Sequence, residues 1–220
     1  MKYINKIRKN LSSKSFPTFS IYDVKSMLVA QGANPDYAYI LLNNLTRRNE
    51  VKRITRGMYT FHEDIRVVGF AFTPFYYGLE DALTIRNLWE QGSNPVVITP
   101  RKVRNGVRGF HGRNYVLHRI EKTHFFGYDL IRRGNFWIPV SDTEKTLIDF
   151  IYFRHYLSED VLKRIAAIAD MKKLKQYLHS YDPRIADKVM RIAKERIPNS
   201  KAQACSTSLG RVSRRVYDQG

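Results

Sequence analysis

Between residues 35 and 61 the chain reads PDYAYILLNNLTRRNEVKRITRGMYTF, and this stretch constrains the fold more than any other. Its first half places Ala38, Leu41, Leu42 and Leu45 at i, i+3, i+4 and i+7, which puts four apolar side chains on one helical face. Pro35 suits the first turn of that helix, where a missing amide donor costs little. Asp36, Tyr37, Ile40, Asn43, Asn44 and Arg47 fall on the opposite face. The second half breaks into VKRI and MYTF around TRG, two short strands joined by a turn in which Gly57 permits positive φ. An amphipathic helix running straight into a hairpin needs further elements to bury its apolar side.

Those elements are legible upstream. Ser20 precedes IYDVKSMLVAQG with Asp23 three positions on, close to a capping box. Val24, Met27 and Leu28 form the inner face of this helix and Gly32 terminates it. SFPTFS reads as a small strand, and before it Tyr3, Ile4, Ile7 and Leu11 are spaced for a short amphipathic helix. Three helices, with a tight turn between the second and third and a hairpin after them, predict a winged helix-turn-helix over residues 1–62. The third helix would enter a major groove. Asn43 and Arg47 are the best-placed base readers, since an amide suits adenine and a guanidinium suits guanine, with Tyr37, Asn44 and Arg48 beside them. Lys52, Arg53 and Arg56 of the wing would lie on phosphates, which fix position without specifying sequence. The bland alternative is a protein-interaction module with a solvated basic hairpin.

Charge favours double-stranded DNA as the partner. Lys and Arg number 38 against 20 Asp and Glu, a net +18, and phosphate neutralisation releases condensed counterions. The excess is densest at the N-terminus, where residues 1–62 carry 11 basic and 3 acidic side chains. An anionic membrane surface is the competing partner, but no basic helix with a Trp/Phe face stands out. No apolar run approaches the roughly 18 residues of a membrane span, and no signal-peptide core follows the basic N-terminus. The single Cys205 excludes an intramolecular disulfide and a cysteine-based zinc site. These features predict a soluble, cytoplasmic protein.

Residues 63–157 read as a mixed α/β domain, 158–197 as a helical segment and 198–220 as a disordered basic tail, so the fold class is α+β. RVVGFAFTPFYYG is rich in β-branched and aromatic residues, and Pro74 and Gly78 break it before a helix. LEDALTIRNLWEQG reads as a helix ended by Gly92, PVVITP as a short buried strand, and NYVLHRI, GYDLIRR and NFWIPV as further strands. SDTEKTLIDFIYF opens another helix, with Ser141 as N-cap and Glu144 at the capping-box position. Ser158 and Asp182 read as N-caps of later helices, with Pro183 at a first helical position. The basic, glycine-rich segment 101–113, with Arg101, Lys102, Arg104, Arg108 and Arg113, is either a second polyanion contact or a solvated hairpin. Trp89 and Trp137, and the pairs Phe75-Tyr76 and Phe125-Phe126, are expected in the core.

Catalytic signals are weak. Glu144, Lys145 and Asp149 invite a divergent nuclease domain, the alternative reading. However, the two carboxylates are five positions apart, on different helical faces. The six histidines show no pair at metal-ligand spacing on one helix. No phosphate loop or nucleophile elbow is present. The sequence therefore predicts no catalytic residues, no metal and no cofactor.

Three phrases resemble one family. FSIYDV with YAYILLNNLTRRNEVKRITRGMYTF, GLEDALTIRNLWEQG and SDTEKTLIDFIYF occur here in an order similar to AbiEi-like transcriptional regulators. These are the antitoxins of AbiE-type (type IV) toxin–antitoxin systems. The similarity spans about residues 16 to 155. It implies a repressor that binds inverted repeats in its own promoter through residues 35–48 and 52–57. It also implies a C-terminal part that counters a nucleotidyltransferase-type toxin.

Overall fold

In the computed structural model, which describes residues 17–195, Ser20 and Asp23 form the expected capping box. The Asp23 amide donates to Ser20 Oγ at 3.2 Å and the Ser20 amide to Asp23 Oδ2 at 2.7 Å, starting α1 (Ile21–Val29). The amides of Tyr37 and Ala38 donate to the carbonyls of Asn34 and Pro35. The chain thus turns through the proline before α2 (Tyr37–Arg47) begins. β1 (Thr18–Ser20), β2 (Lys52–Thr55) and β3 (Met58–Thr60) make an antiparallel sheet in the order β1-β3-β2. Gly57 turns the hairpin at φ +78°. Phe19, Val24, Leu28, Ala38, Leu41, Leu42, Leu45 and Val51 form the core of this unit. The expected helix containing Tyr3, Ile4, Ile7 and Leu11 lies outside the described residues, as does the basic tail.

The next segment departs from its composition. Residues Ile65–Phe72 form a 3₁₀ coil, not a strand, started by Asp64 accepting from the Arg66 amide at 2.9 Å. Ile65, Val67, Val68, Phe70 and Phe72 are all buried, so its apolar richness reports burial on every side rather than a strand's alternation. Tyr77 reaches back into the coil, donating to the Arg66 carbonyl and accepting from the Gly69 amide.

A six-stranded mixed sheet follows. Its strands are β4 (Tyr76–Tyr77), β5 (Val96–Thr99), β6 (Gly106–Phe110), β7 (Arg113–Arg119), β8 (Tyr128–Arg133) and β9 (Phe136–Ser141). Their order is β6-β7-β5-β4-β9-β8, with β4/β9 and β5/β7 parallel and the other pairs antiparallel. Alternation sorts the side chains. Tyr76, Val96 and Ile98 face the helices α3 (Leu79–Ile85), α4 (Thr143–Tyr152), α5 (Glu159–Ile168), α6 (Met171–Leu178) and α7 (Pro183–Lys194). Tyr77, Val97, Ile138 and Val140 face the 3₁₀ coil. The chain is an α+β fold.

Three helix boundaries differ from expectation. α3 stops at Ile85, seven residues before Gly92, because Asn87 adopts φ +57° and the Leu88 amide donates to the Leu83 carbonyl at 2.8 Å. That is a Schellman end with asparagine in glycine's place. α4 is capped by Asp142, whose carboxylate accepts from the Lys145 amide at 2.7 Å, and not by Ser141, which ends β9. Glu144 is consequently not a capping-box partner and accepts instead from the Asp170 amide at 2.7 Å. Ser158 precedes α5 without a side-chain cap bond, whereas Asp182 caps α7 with Pro183 behind it. Trp137 is 56% exposed rather than in the core. Among the described residues no helix is long and apolar enough to cross a membrane.

Candidate nucleic-acid interface

Burial of Ala38, Leu41, Leu42 and Leu45 decides what α2 shows to solvent. Tyr37, Tyr39, Ile40, Asn43 and Arg47 are exposed along it, Asn44 is half-buried, and Arg48 is exposed just beyond its end. Arg47 leans on Asn44, its Nη2 donating to Oδ1 at 3.4 Å. Tyr39 was not anticipated. Its ring is 57% exposed and carries the Lys25 ammonium 4.5 Å from the centroid, while Lys25 also reaches Asp36 at 3.4 Å. The sequence signal was its place one residue after buried Ala38, about 100° around the helix.

The hairpin presents Arg53 and Arg56 to solvent, and among the described residues neither has a carboxylate partner. Arg53 Nε makes one long hydrogen bond, to the Thr55 carbonyl at 3.4 Å. Lys52 corrects the expectation that all three wing cations face phosphate. It is only 8% exposed and its ammonium is 3.0 Å from Glu63 Oε1. The reason is the strand period of two. Lys52 and Ile54 share the inward face of β2 while Arg53 points out. The hydrogen bond from Lys52 holds the Glu63 carboxyl below its usual range.

Segment 101–113 is an ordered hairpin edge. β6 pairs along β7 from Gly106↔Leu117 to Phe110↔Arg113. Arg101, Lys102, Arg104 and Arg113 are exposed. Arg101 Nη1 donates to the Ala71 carbonyl at 3.3 Å, and the Arg108 guanidinium lies 5.4 Å from the Phe72 ring centroid and donates to the Arg104 carbonyl. Two of the five cations are therefore partly committed to the protein itself.

The residues of the nuclease alternative are drawn inward. Lys145 and Asp149 form an ion pair one turn apart on α4, both fully shielded from solvent. Asp149 Oδ2 also accepts from the Tyr76 hydroxyl at 2.8 Å. Burial pushes the Lys145 ammonium down and the Asp149 carboxyl up from their ordinary values. The rings of Tyr76, Phe126 and Tyr181 surround the ammonium at 5.3 to 5.7 Å. Glu144 instead joins Asp142 in holding Lys173 of α6, at 3.2 and 3.0 Å. Tyr177 donates to Asp142 at 2.8 Å, and burial and that bond raise its hydroxyl to about 12. Together these bonds tie α6 to the start of α4. Among the described residues no three His, Cys, Asp or Glu side chains are grouped to hold a metal.

With this geometry in view, the fold is similar to that of a solved protein. The crystal structure of the RV2827C protein from Mycobacterium tuberculosis superposes with a TM-score of 0.56 at 13% identity, covering 90% of this chain and 83% of that one. At that identity the likeness is one of fold. Neither a family model nor a curated protein matches the sequence.

Proposed function

We propose that residues 17–61 act as a winged helix-turn-helix and that the protein is a sequence-specific DNA-binding repressor. The observation that carries this reading is the pairing of one exposed helix face with one basic hairpin, whose Val51 and Tyr59 pack into the α1–α2 core. Asn43 and Arg47 of α2 are exposed where base edges would lie, and among the described residues Arg53 and Arg56 have no carboxylate partner. The net charge of +18 supplies the long-range attraction. In this reading Tyr37, Asn44 and Arg48 line the approach to the groove, with the exposed arginines of segment 101–113 as a second contact to flanking phosphates.

The resemblance to AbiEi-like regulators extends the proposal to an antitoxin of a type IV system. Such a protein would act in the cytoplasm, repress its own operon at inverted repeats and counter a nucleotidyltransferase-type toxin. The two halves separate experimentally. Gel-shift titration on the upstream DNA at two salt concentrations tests the first. Saturable, sequence-dependent binding that weakens steeply with salt is expected, and binding indifferent to sequence would refute a repressor. Rescue of growth on co-expression with a neighbouring nucleotidyltransferase gene product tests the second.

A further inference from the structure

A cavity of about 590 Å³ opens where the end of α4 meets α5 and α7, within the size range of small-molecule sites. Its wall carries Arg154, Arg184, Lys188 and Arg191. Among the described residues none of these four cations is in a salt bridge, and the one carboxylate on the wall, Glu159, is 3.4 Å from Lys163 outside it. Helix stability accounts for Arg191, in the last turn of α7, but not for Arg184 and Lys188. Lys188 sits four residues after Arg184 and three before Arg191, so like charges repel along one face of α7. Arg184 also stands in the first turn of α7, where the helix dipole opposes a cation.

The loop facing α7 is held in place. α4 ends in a Schellman motif, with the His155 amide donating to the Phe150 carbonyl at 3.0 Å and Arg154 at φ +52°. An arginine in the left-handed region carries a backbone cost that glycine would avoid. His155 Nε2 lies 2.7 Å from Glu80 Oε1, fastening the loop to α3. Directly after it Tyr156, also on the wall, is 88% exposed. A loop held by these bonds thus sets an exposed aromatic ring on the same wall as four cations that have no carboxylate partner among the described residues.

We propose that this cavity binds a nucleotide, with the cations on its phosphates and Tyr156 stacked on its base. The site is separate from α2 and the hairpin and stands whether or not those bind DNA.

Isothermal titration of the full-length protein with ATP, tripolyphosphate, adenosine and a short single-stranded RNA tests it, with circular dichroism verifying that each variant folds. ATP should bind, and Lys188→Ala/Arg191→Ala should weaken it about tenfold or more. Tyr156→Ala should weaken ATP about tenfold while leaving tripolyphosphate unchanged. Arg53→Ala/Arg56→Ala should leave ATP affinity intact. The proposal is overturned if ATP does not bind, or if the paired α7 substitutions leave its affinity unchanged. It is equally overturned if tripolyphosphate binds as tightly as ATP regardless of Tyr156. RNA binding that is lost in the α7 variants while ATP fails to bind would assign the cavity to a nucleic-acid strand instead.

Discussion

Lys145 and Asp149 meet one helical turn apart inside the core, with neither side chain reaching water. Such a pair has lost two hydration shells, and its members are held by each other and by Tyr76.

Removing one partner should therefore hurt more than removing both. Lys145→Met is expected to destabilise the protein by about 3–5 kcal/mol, because Asp149 is left charged and buried. Adding Asp149→Leu should recover part of that loss. Urea unfolding of the two single variants and the double variant, read as a cycle, measures the coupling.

Asp81 gives a pH signature. Burial outweighs Arg66, 2.7 Å away, and raises its carboxyl from 3.8 to about 6. Since the folded value lies above the unfolded one, the fold binds a proton more readily. The stability from this group is complete below pH 3.8 and is lost as pH rises through about 6. The stability difference between wild type and Asp81→Asn should accordingly shift against the wild type between pH 4 and 6. A flat difference across that window would count against the assignment.

The hairpin cations should behave unequally on DNA. Arg53→Ala and Arg56→Ala should each lower the salt slope of binding by about one contact without altering sequence preference. Lys52→Ala should leave the slope nearly unchanged and lower thermal stability instead, since its ammonium is spent on Glu63. Asn43→Ala should relax specificity at one base position by about 1–3 kcal/mol. Gel shifts at several salt concentrations and a melting curve separate these outcomes.

Gly69 is fixed by packing. A Cβ there would overlap the Phe75 ring inside the 3₁₀ coil. Gly69→Ala should cost about 1–3 kcal/mol by forcing that ring aside. Gly32→Ala differs, having only its φ of +69° to satisfy and no neighbour to displace. Denaturant midpoints of the two variants measure the contrast.

What could be read from the sequence was mostly local. The Ser20–Asp23 cap, the buried stripe of α2 and the turn at Gly57 follow from spacing alone, and the structure has all three. Competing signals hid other features. Gly92 looked like a helix end, but Asn87 reached the left-handed region first. Ser141 looked like a cap, but β9 runs through it and hands the role to Asp142. The coil at 65–72 shares its composition with strands, since both bury β-branched and aromatic residues. At the candidate interface, Arg53 and Arg56 followed from the pattern, whereas Lys52 required the alternation of β2 to be taken seriously. Lys145 and Asp149 are an i, i+4 pair in plain view, yet nothing local says that both are buried. That depends on the rings of Tyr76, Phe126 and Tyr181, drawn from three distant segments.

Ile54 belongs to the core beneath the six-stranded sheet, while Val51, three residues earlier, belongs to the core beneath α1 and α2. Met58 across the hairpin packs against the same core as Ile54, and the Lys52–Glu63 bond lies beside it. Side-chain packing at Ile54 and the Lys52–Glu63 bond therefore join the hairpin to the larger core. A torque applied at the Gly57 tip is carried by side-chain contact toward Phe136 and Tyr77 instead of being absorbed by loose backbone. Whatever grips that tip also grips the larger sheet.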